Sequence, residues 1–321
     1  LRGNGNATIL KRGYNSTNTD SGSTARGLIT LNNKSGCKIQ DLQINGNKAA
    51  HTASYNYGIF LYYSSNSTIT GNTCTNNSNS GIYLSSSSNN TITGNTCNNN
   101  SYDGIYLYYS STNNTVTGNA CNYNNNNGIL LYTSNDNNTV TGNTCNSNSC
   151  GIYLYSSNNN NTVTGNTCNS NNYGIYLYRS NNNTVTGNTC NYNNNNGIYL
   201  HLSSTNSTVT GNTCNSNNCG ICLNSAYGNT IAGNACNHNN YGIYLSSSSN
   251  NTITGNTCIY GLGQPSDYTS DRYTILLFGS SNNYNLISSN NCMGKAVEVE
   301  GGTGNSAWGN KFGATDDLPY Q

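Results

Sequence analysis

Apolar residues recur along this chain in short alternating runs. Gly81-Ile82-Tyr83-Leu84 and Thr91-Ile92-Thr93 each put every second side chain on one face, the period-2 signature of short strands with one side buried. Between such runs stand clusters of Asn, Ser and Gly, which form turns. The same phrase returns throughout: Thr-Ile/Val-Thr-Gly-Asn-Thr-Cys-Asn, a few Asn or Ser, then Gly-Ile-Tyr-Leu, every 22 to 24 residues. Its cysteine marks the register. Cys74, Cys97, Cys121, Cys145, Cys168, Cys190, Cys214, Cys236 and Cys258 follow one another at 23, 24, 24, 23, 22, 24, 22 and 22 residues. A unit this short can bury its apolar atoms only against its neighbours, so the chain is a stack of coils. Identical corners then repeat about 4.8 Å apart. The prediction is an all-β parallel β-helix of about twelve coils in one domain over residues 1–321. Residues 1–57 are irregular first coils, 58–258 regular repeats, 259–295 a degenerate coil interrupted by a loop with Pro265, and 296–321 a closing coil and tail.

Composition alone describes a disordered Asn-rich tract, with 33% hydrophobic and 7% charged residues. The unbroken register excludes that. A net charge of +1 without a basic run indicates neither nucleic acid nor an anionic membrane surface as partner. There is no stretch of 18 apolar residues to span a membrane, and the chain begins at Leu1 without an initiator Met, consistent with removal of a signal segment or with a fragment. Asn-x-Ser/Thr triplets fall at turn positions nearly once per coil, at Asn66, Asn89, Asn113, Asn137, Asn160, Asn182, Asn206 and Asn250 among others. As glycosylation candidates they point to an extracellular or cell-surface chain, and fourteen cysteines suit an oxidising exterior.

Asn89-Asn90-Thr91-Ile92-Thr93-Gly94-Asn95-Thr96, alternating with Gly-Ile-Tyr-Leu, resembles the right-handed parallel β-helix repeats of NosD-like and pectate-lyase-like proteins. Its closest flavour is that of the Asn- and Tyr-rich surface proteins of methanogenic archaea, some of which build cell envelopes or sheaths. The resemblance covers nearly the whole chain and implies the fold, a single-stranded right-handed parallel β-helix. It says little of function, because one solenoid hosts lyases, hydrolases, epimerases, adhesins and scaffolds. The chain departs from the usual pattern in carrying Cys where an aliphatic residue commonly follows Gly-Asn-Thr.

The nine register cysteines and Cys292 share one corner. Coil spacing lies inside the disulfide window of about 4.4 to 6.8 Å, so neighbours can pair two by two; a ladder of free thiols acting as small hydrophobes is the other reading. Strict alternation from Ile69 points Cys74 outward, and a bend at Gly71-Asn72 turns it inward; the family resemblance favours the bend. A single-file row does not converge tetrahedrally as zinc requires, and no metal or cofactor is expected. Cys150 and Cys219 precede the Gly of their strands, three coils or roughly 14 Å apart, and Cys222 replaces an outward Tyr. These three are candidates for links between molecules. Cys219-Gly220-Ile221-Cys222 has redox spacing but lacks the strand-turn-helix that activates such a pair.

In Gly-Ile-Tyr-Leu-Tyr the Ile and Leu point inward, which lays two aromatic ranks outside. Phe60, Tyr83, Tyr106, Tyr153, Tyr176, Tyr199 and Tyr244 form the first; Tyr62, Tyr108, Tyr132, Tyr155 and Tyr178, followed by His201, form the second. So large an exposed apolar face marks an interaction surface, for copies of the chain or for a sugar polymer such as a cell-surface glycan. Catalysis finds little to use. From Asn66 to Cys258 the charged residues are Asp103, Asp136 and Arg179, which cannot supply a glycosidase carboxylate pair or the calcium-binding acids of a lyase. Asp267, Asp271 and Arg272 read as a surface turn, and His51, His201 and His238 as scattered solvated side chains. The expectation is therefore no enzyme but an extracellular structural protein that self-assembles into a layer, sheath or filament. A carbohydrate-binding or carbohydrate-modifying β-helix is the alternative. An ice-binding solenoid, suggested by rows such as Thr91/Thr93, is third.

Overall fold

The computed structural model describes residues 1–16, 26–260, 273–293, 298–299, 302–312 and 316–317. The expected late loop, with Pro265, Asp267, Asp271 and Arg272, lies outside the described residues, as do Ala296 and Val297 of the expected closing strand. The chain forms two compact units, Leu1–Thr167 and Cys168–Gln321. Each is built as a right-handed parallel β-solenoid.

In the first unit one sheet stacks Gly27–Asn32, Tyr57–Tyr62, Ile82–Ser85, Ile105–Tyr108, Asn127–Tyr132 and Cys150–Tyr155 in sequence order. All pairs are parallel, with Ile59, Ile82, Ile105, Ile129 and Ile152 in register. A second sheet stacks Lys38–Gln40, Thr68–Thr70, Thr91–Thr93, Thr115–Thr117, Thr139–Thr141 and Thr162–Thr164. The second unit repeats the plan, its first sheet running from Tyr173–Tyr178 to Glu298–Val299 and its second from Thr184–Thr186 to Ser306–Trp308. Alternation works as the pattern requires: Ile82, Leu84, Ile92, Ile105 and Leu107 are fully buried, while the threonines flanking each inward Ile or Val stay partly or fully exposed. No helix among the described residues is long and apolar enough to cross a membrane.

The turn after each Thr-Ile/Val-Thr strand decides where the cysteine goes. Gly71, Gly94, Gly118 and Gly142 sit at φ of +61 to +62°, the left-handed region open to glycine at no steric cost. This bend breaks strict alternation and turns the next Cys inward. All ten rank cysteines are 0–1% exposed. All fourteen cysteines are free thiols, ten of them filed through the core with the sulfur of Cys121 hydrogen-bonded to those of Cys97 and Cys145. Burial pushes the Cys121 and Cys190 thiols up, which keeps them protonated and inert.

The other half of the interior is polar. The Asn of each Gly-Asn-Thr, or of its variants such as Gly118-Asn119-Ala120 and Ser289-Asn290-Asn291, is buried and stacked on its equivalents: Asn72, Asn95, Asn119, Asn143 and Asn166 in the first unit, Asn188, Asn212, Asn234, Asn256, Asn290 and Asn310 in the second. Each side-chain N–H₂ donates to the next amide oxygen at 2.9–3.1 Å in steps such as Asn95 to Asn119 and Asn212 to Asn234, and also back to a backbone carbonyl, as from Asn119 to Ile92 at 2.9 Å. The next amide oxygen also accepts the backbone N–H, as Asn119 Oδ1 does from Asn95. Asn77, Asn100, Asn124 and Asn148 form a second such row at another corner. The turns, whose buried backbone groups no sheet can pair, are thereby satisfied from within.

Candidate functional site

The outer face of the Gly-Ile-Tyr-Leu sheet carries the aromatic ranks, and their exposure is the first departure from expectation. Phe60 is 1% and Tyr83 8% exposed, while Tyr106, Tyr153, Tyr176, Tyr199 and Tyr244 are half-buried, as are Tyr108, Tyr132, Tyr155 and Tyr178. Rings one strand spacing apart lie on one another: Phe60 and Tyr83 are stacked at 5.2 Å, Tyr132 and Tyr155 at 4.7 Å, Tyr176 and Tyr199 at 4.8 Å. Such pairs satisfy the ring quadrupoles and cover much of each face. The residue before each strand Gly also turns outward, so Tyr57 stacks on Tyr83 at 4.5 Å and Tyr173 on Tyr199 at 5.8 Å.

Where a small residue interrupts a rank, the face opens. In the first unit Ser85 pairs with Tyr62 on one side and Tyr108 on the other. Ser85-Ser86 thus lies between two tyrosine pairs, Tyr62-Tyr63 and Tyr108-Tyr109, and the result is a cleft of about 340 Å³ whose wall includes Arg26. In the second unit Cys222 stands between Tyr199 and Tyr244, and a hollow of about 220 Å³ forms beside Cys219, Tyr241 and Tyr244.

His201 is not a scattered solvated side chain. Its ring stacks on Tyr199 at 4.9 Å and meets Tyr178 edge-on at 5.5 Å, and its Nδ1 lies 2.7 Å from the Tyr176 hydroxyl. Burial lowers its pKa, which keeps the imidazole neutral near pH 7. Arg179 sits with its guanidinium 5.4 Å over the Tyr178 ring. A neutral imidazole bonded to a phenol is an arrangement that can move a proton at a partly open surface.

Asp103 also occupies an unexpected place. It is the residue before Gly104, 2% exposed, and its Oδ1 accepts from Asn127 N at 3.1 Å and Asn127 Nδ2 at 2.8 Å. Burial pushes its pKa up to about 6, against the opposing hydrogen bonds from Asn127 and Ser80. The folded chain therefore holds a proton that the unfolded chain, titrating near 3.8, has lost, so stability falls as pH rises from about 4 to about 6 and is level above. At about 1.4 kcal/mol per pKa unit the penalty at neutral pH is of order 3 kcal/mol. Asp103→Asn keeps the acceptor and removes the charge. It is expected to raise stability at pH 7 by about 2–3 kcal/mol and to lose the advantage near pH 3.5, as urea unfolding across that range will show.

Of the thiols off the rank, Cys150, Cys219 and Cys222 lie on the outer side but are 5%, 3% and 8% exposed, and the Cys219 and Cys222 sulfurs are hydrogen-bonded to each other. Neighbouring side chains cover them. Asn66, Asn89, Asn113, Asn137, Asn160, Asn182, Asn206 and Asn250 are all exposed, and all have φ between +51 and +59°. Asparagine tolerates that conformation better than other side-chain-bearing residues, so these positions have a backbone reason for Asn whether or not they carry glycans.

Solved structures share this architecture over most of the chain. The A-module of the Azotobacter vinelandii mannuronan C-5 epimerase AlgE6 matches with a TM-score of 0.66 at 17% identity, over 98% of this chain and 84% of that one. The Dettilon tailspike protein matches at 0.59 and 18%, over 94% and 60%. The periplasmic alginate epimerase AlgG matches at 0.51 and 16%, over 87% and 61%. None of the curated proteins compared matches by sequence. The expectation that the chain is not an enzyme is corrected by these likenesses: two of the three bear the names of enzymes, built on the same coils. At such identities the likeness carries the fold alone. The sequence itself matches a family model described as periplasmic copper-binding protein (NosD) at residues 2–172, 110–235 and 172–320, and the chain belongs to the NosD family.

Proposed function

We propose that this chain binds a carbohydrate polymer along the outer aromatic face of its Gly-Ile-Tyr-Leu sheets, and that it works outside the cytoplasm as a carbohydrate-binding or carbohydrate-modifying β-helix. The observation that carries the reading is the cleft between the Tyr62-Tyr63 and Tyr108-Tyr109 pairs. It is lined by aromatic rings together with Ser85 and Ser86, a combination that suits a sugar, whose C–H faces stack on rings while its edges hydrogen-bond. The Tyr176–His201 pair gives the second unit a group able to transfer a proton to or from such a ligand. Proteins of the same fold act, by their names, on mannuronan and alginate, and the family description is periplasmic.

Self-assembly into a layer, sheath or filament loses part of its motive, because the ranks expected to be free for a second copy are half-buried against one another. Copper, which the family description names, finds no open cluster of donors among the described residues. The rank thiols are sealed in single file, and among the described residues no three His, Cys, Asp or Glu side chains converge as ligands. No step is assigned to it.

The test is affinity electrophoresis of the full chain through gels holding neutral or acidic polysaccharides, with NMR of the recovered polymer to detect modification. Retardation by at least one polymer, reduced about tenfold or more in affinity by Tyr108→Ala, is expected. Free migration through every polymer, with sedimentation showing large homo-oligomers, would return the function to self-assembly.

A further inference from the structure

We infer that the cleft at Ser85-Ser86 selects an anionic sugar residue, its carboxylate or sulfate held by Arg26. This rests on the carbohydrate reading above and adds the charge of the ligand. Arg26 stands just before the strand Gly27–Asn32 and contributes to the cleft wall. Its guanidinium carbon lies 4.7 Å over the Tyr55 ring, an arrangement that holds the group in place without neutralising it. Its Nε is buried and has no hydrogen-bond partner. None of the described residues lining the cleft is an acid; Asp103 does not line it and is engaged by Asn127. A guanidinium at the wall of a tyrosine-lined recess, with no acid among the described residues of that wall, suits an oxyanion, which its terminal N–H₂ groups can meet as paired donors.

The geometry also sets the shape of the ligand. Tyr62 and Tyr108 are two strands apart with Ser85 between them in register, which separates the tyrosine pairs by roughly 9.5 Å. That slot takes one sugar ring with its substituents. Tyr63 and Tyr109, at the mouth, are 57% and 55% exposed and sit at φ of +46 and +45°. Ser86 takes the same conformation at +47°, so the backbone accepts tyrosine at that turn and the sequence leaves the middle coil open with serine.

The experiment uses the full chain and three probes of matched length: oligogalacturonate, a sulfated dextran oligomer and neutral dextran, followed by calorimetry at low and moderate salt. Wild type is expected to prefer at least one acidic probe over the neutral one, with affinity falling as salt rises. Arg26→Gln should lower acidic binding about tenfold or more and leave neutral binding within about twofold. Ser86→Tyr, which fills the slot with the residue of the neighbouring coils, should block acidic binding while the melting curve stays that of wild type. It thereby separates loss of the site from loss of the fold. Uronate and sulfate arms tell which anion is preferred, and either preference supports the inference. If Arg26→Gln changes acidic and neutral binding equally, or changes neither while Tyr108→Ala still abolishes binding, the anion site is refuted and the polysaccharide reading survives. If no probe and no polysaccharide binds wild type, both fall.

Discussion

Asn119→Leu is expected to destabilise the first unit by about 5 kcal/mol. The wild-type side chain donates to Ile92 O at 2.9 Å, Thr117 O at 3.1 Å and Asn143 Oδ1 at 3.0 Å, and accepts from Asn95 N at 2.9 Å and Asn95 Nδ2 at 3.0 Å. Leucine has a similar fork but no polar atom. It leaves the Asn95 N–H without its acceptor in a site closed to water, at about 1–3 kcal/mol, while Asn95 Nδ2 keeps Ile69 O and Thr93 O; Ile92 O, Thr117 O and Asn143 Oδ1 each lose a donor, and the extra volume adds strain. In a solenoid the damage is felt first by adjacent coils. Hydrogen exchange should accelerate around Asn95 and Asn143 before the rest of the unit opens, and the melting temperature should drop sharply. Asn113→Gly, at an exposed position with φ of +55°, is the control and should cost well under about 1 kcal/mol. A loss at position 119 no larger than the control's would mean that the amide rows do not support the fold.

Gly128→Ala should be nearly as severe. A Cβ built there meets Gly151 O at 2.6 Å, Cys145 Cβ at 2.7 Å and Cys121 O at 3.0 Å. Two of the three are backbone atoms of sheet or turn and cannot rotate away, so the sheet must separate from the cysteine corner, at a cost of about 3–4 kcal/mol. Gly118 makes the opposite case. It sits at φ of +62° with open space where a Cβ would stand, so Gly118→Ala pays only for the left-handed backbone, about 1–2 kcal/mol, and Gly118→Asn less. Denaturant unfolding of the three variants checks the order. Equal losses at 118 and 128 would show that conformation, not crowding, fixes these glycines.

Strand positions, coil length and the inward Ile and Leu were legible because alternation and period both report which side chains leave water. The turn at Gly71-Asn72 was legible as one of two alternatives, and the positive φ of the glycine resolves it. The role of Asn72 and its equivalents was not. Asparagine forms turns in most contexts, and only its recurrence at one place in each coil, kept at Asn119, Asn234 and Asn290 where the residues around it change, is a sign that it stacks inside. For the aromatic face, alternation gives a direction and not an exposure. Alternation tells which way Tyr176 points, but not that Tyr199 and His201 lie across it. For Asp103 the obstacle was similar: the residue before the strand glycine escapes the alternation rule, and nothing local distinguishes a sealed acid from a solvated one. The cleft itself was written in the sequence as a substitution, Ser85-Ser86 where neighbouring coils have Tyr-Tyr.

The amide rows also make length a counted quantity. Within each unit the interior amides of such a row, as Asn95, Asn119 and Asn212 do, give a hydrogen bond toward the C-terminal coil and receive one from the coil before, so these coils are interchangeable at their two borders. Removing or duplicating a whole repeat rejoins donor to acceptor with nothing left over, whereas a single inserted residue puts every later asparagine out of line. Such a gene can lengthen or shorten its product by recombination among its own near-identical repeats without passing through an unfolded intermediate. The outer surface can then change by exchange of outward residues on coils whose interiors are already compatible.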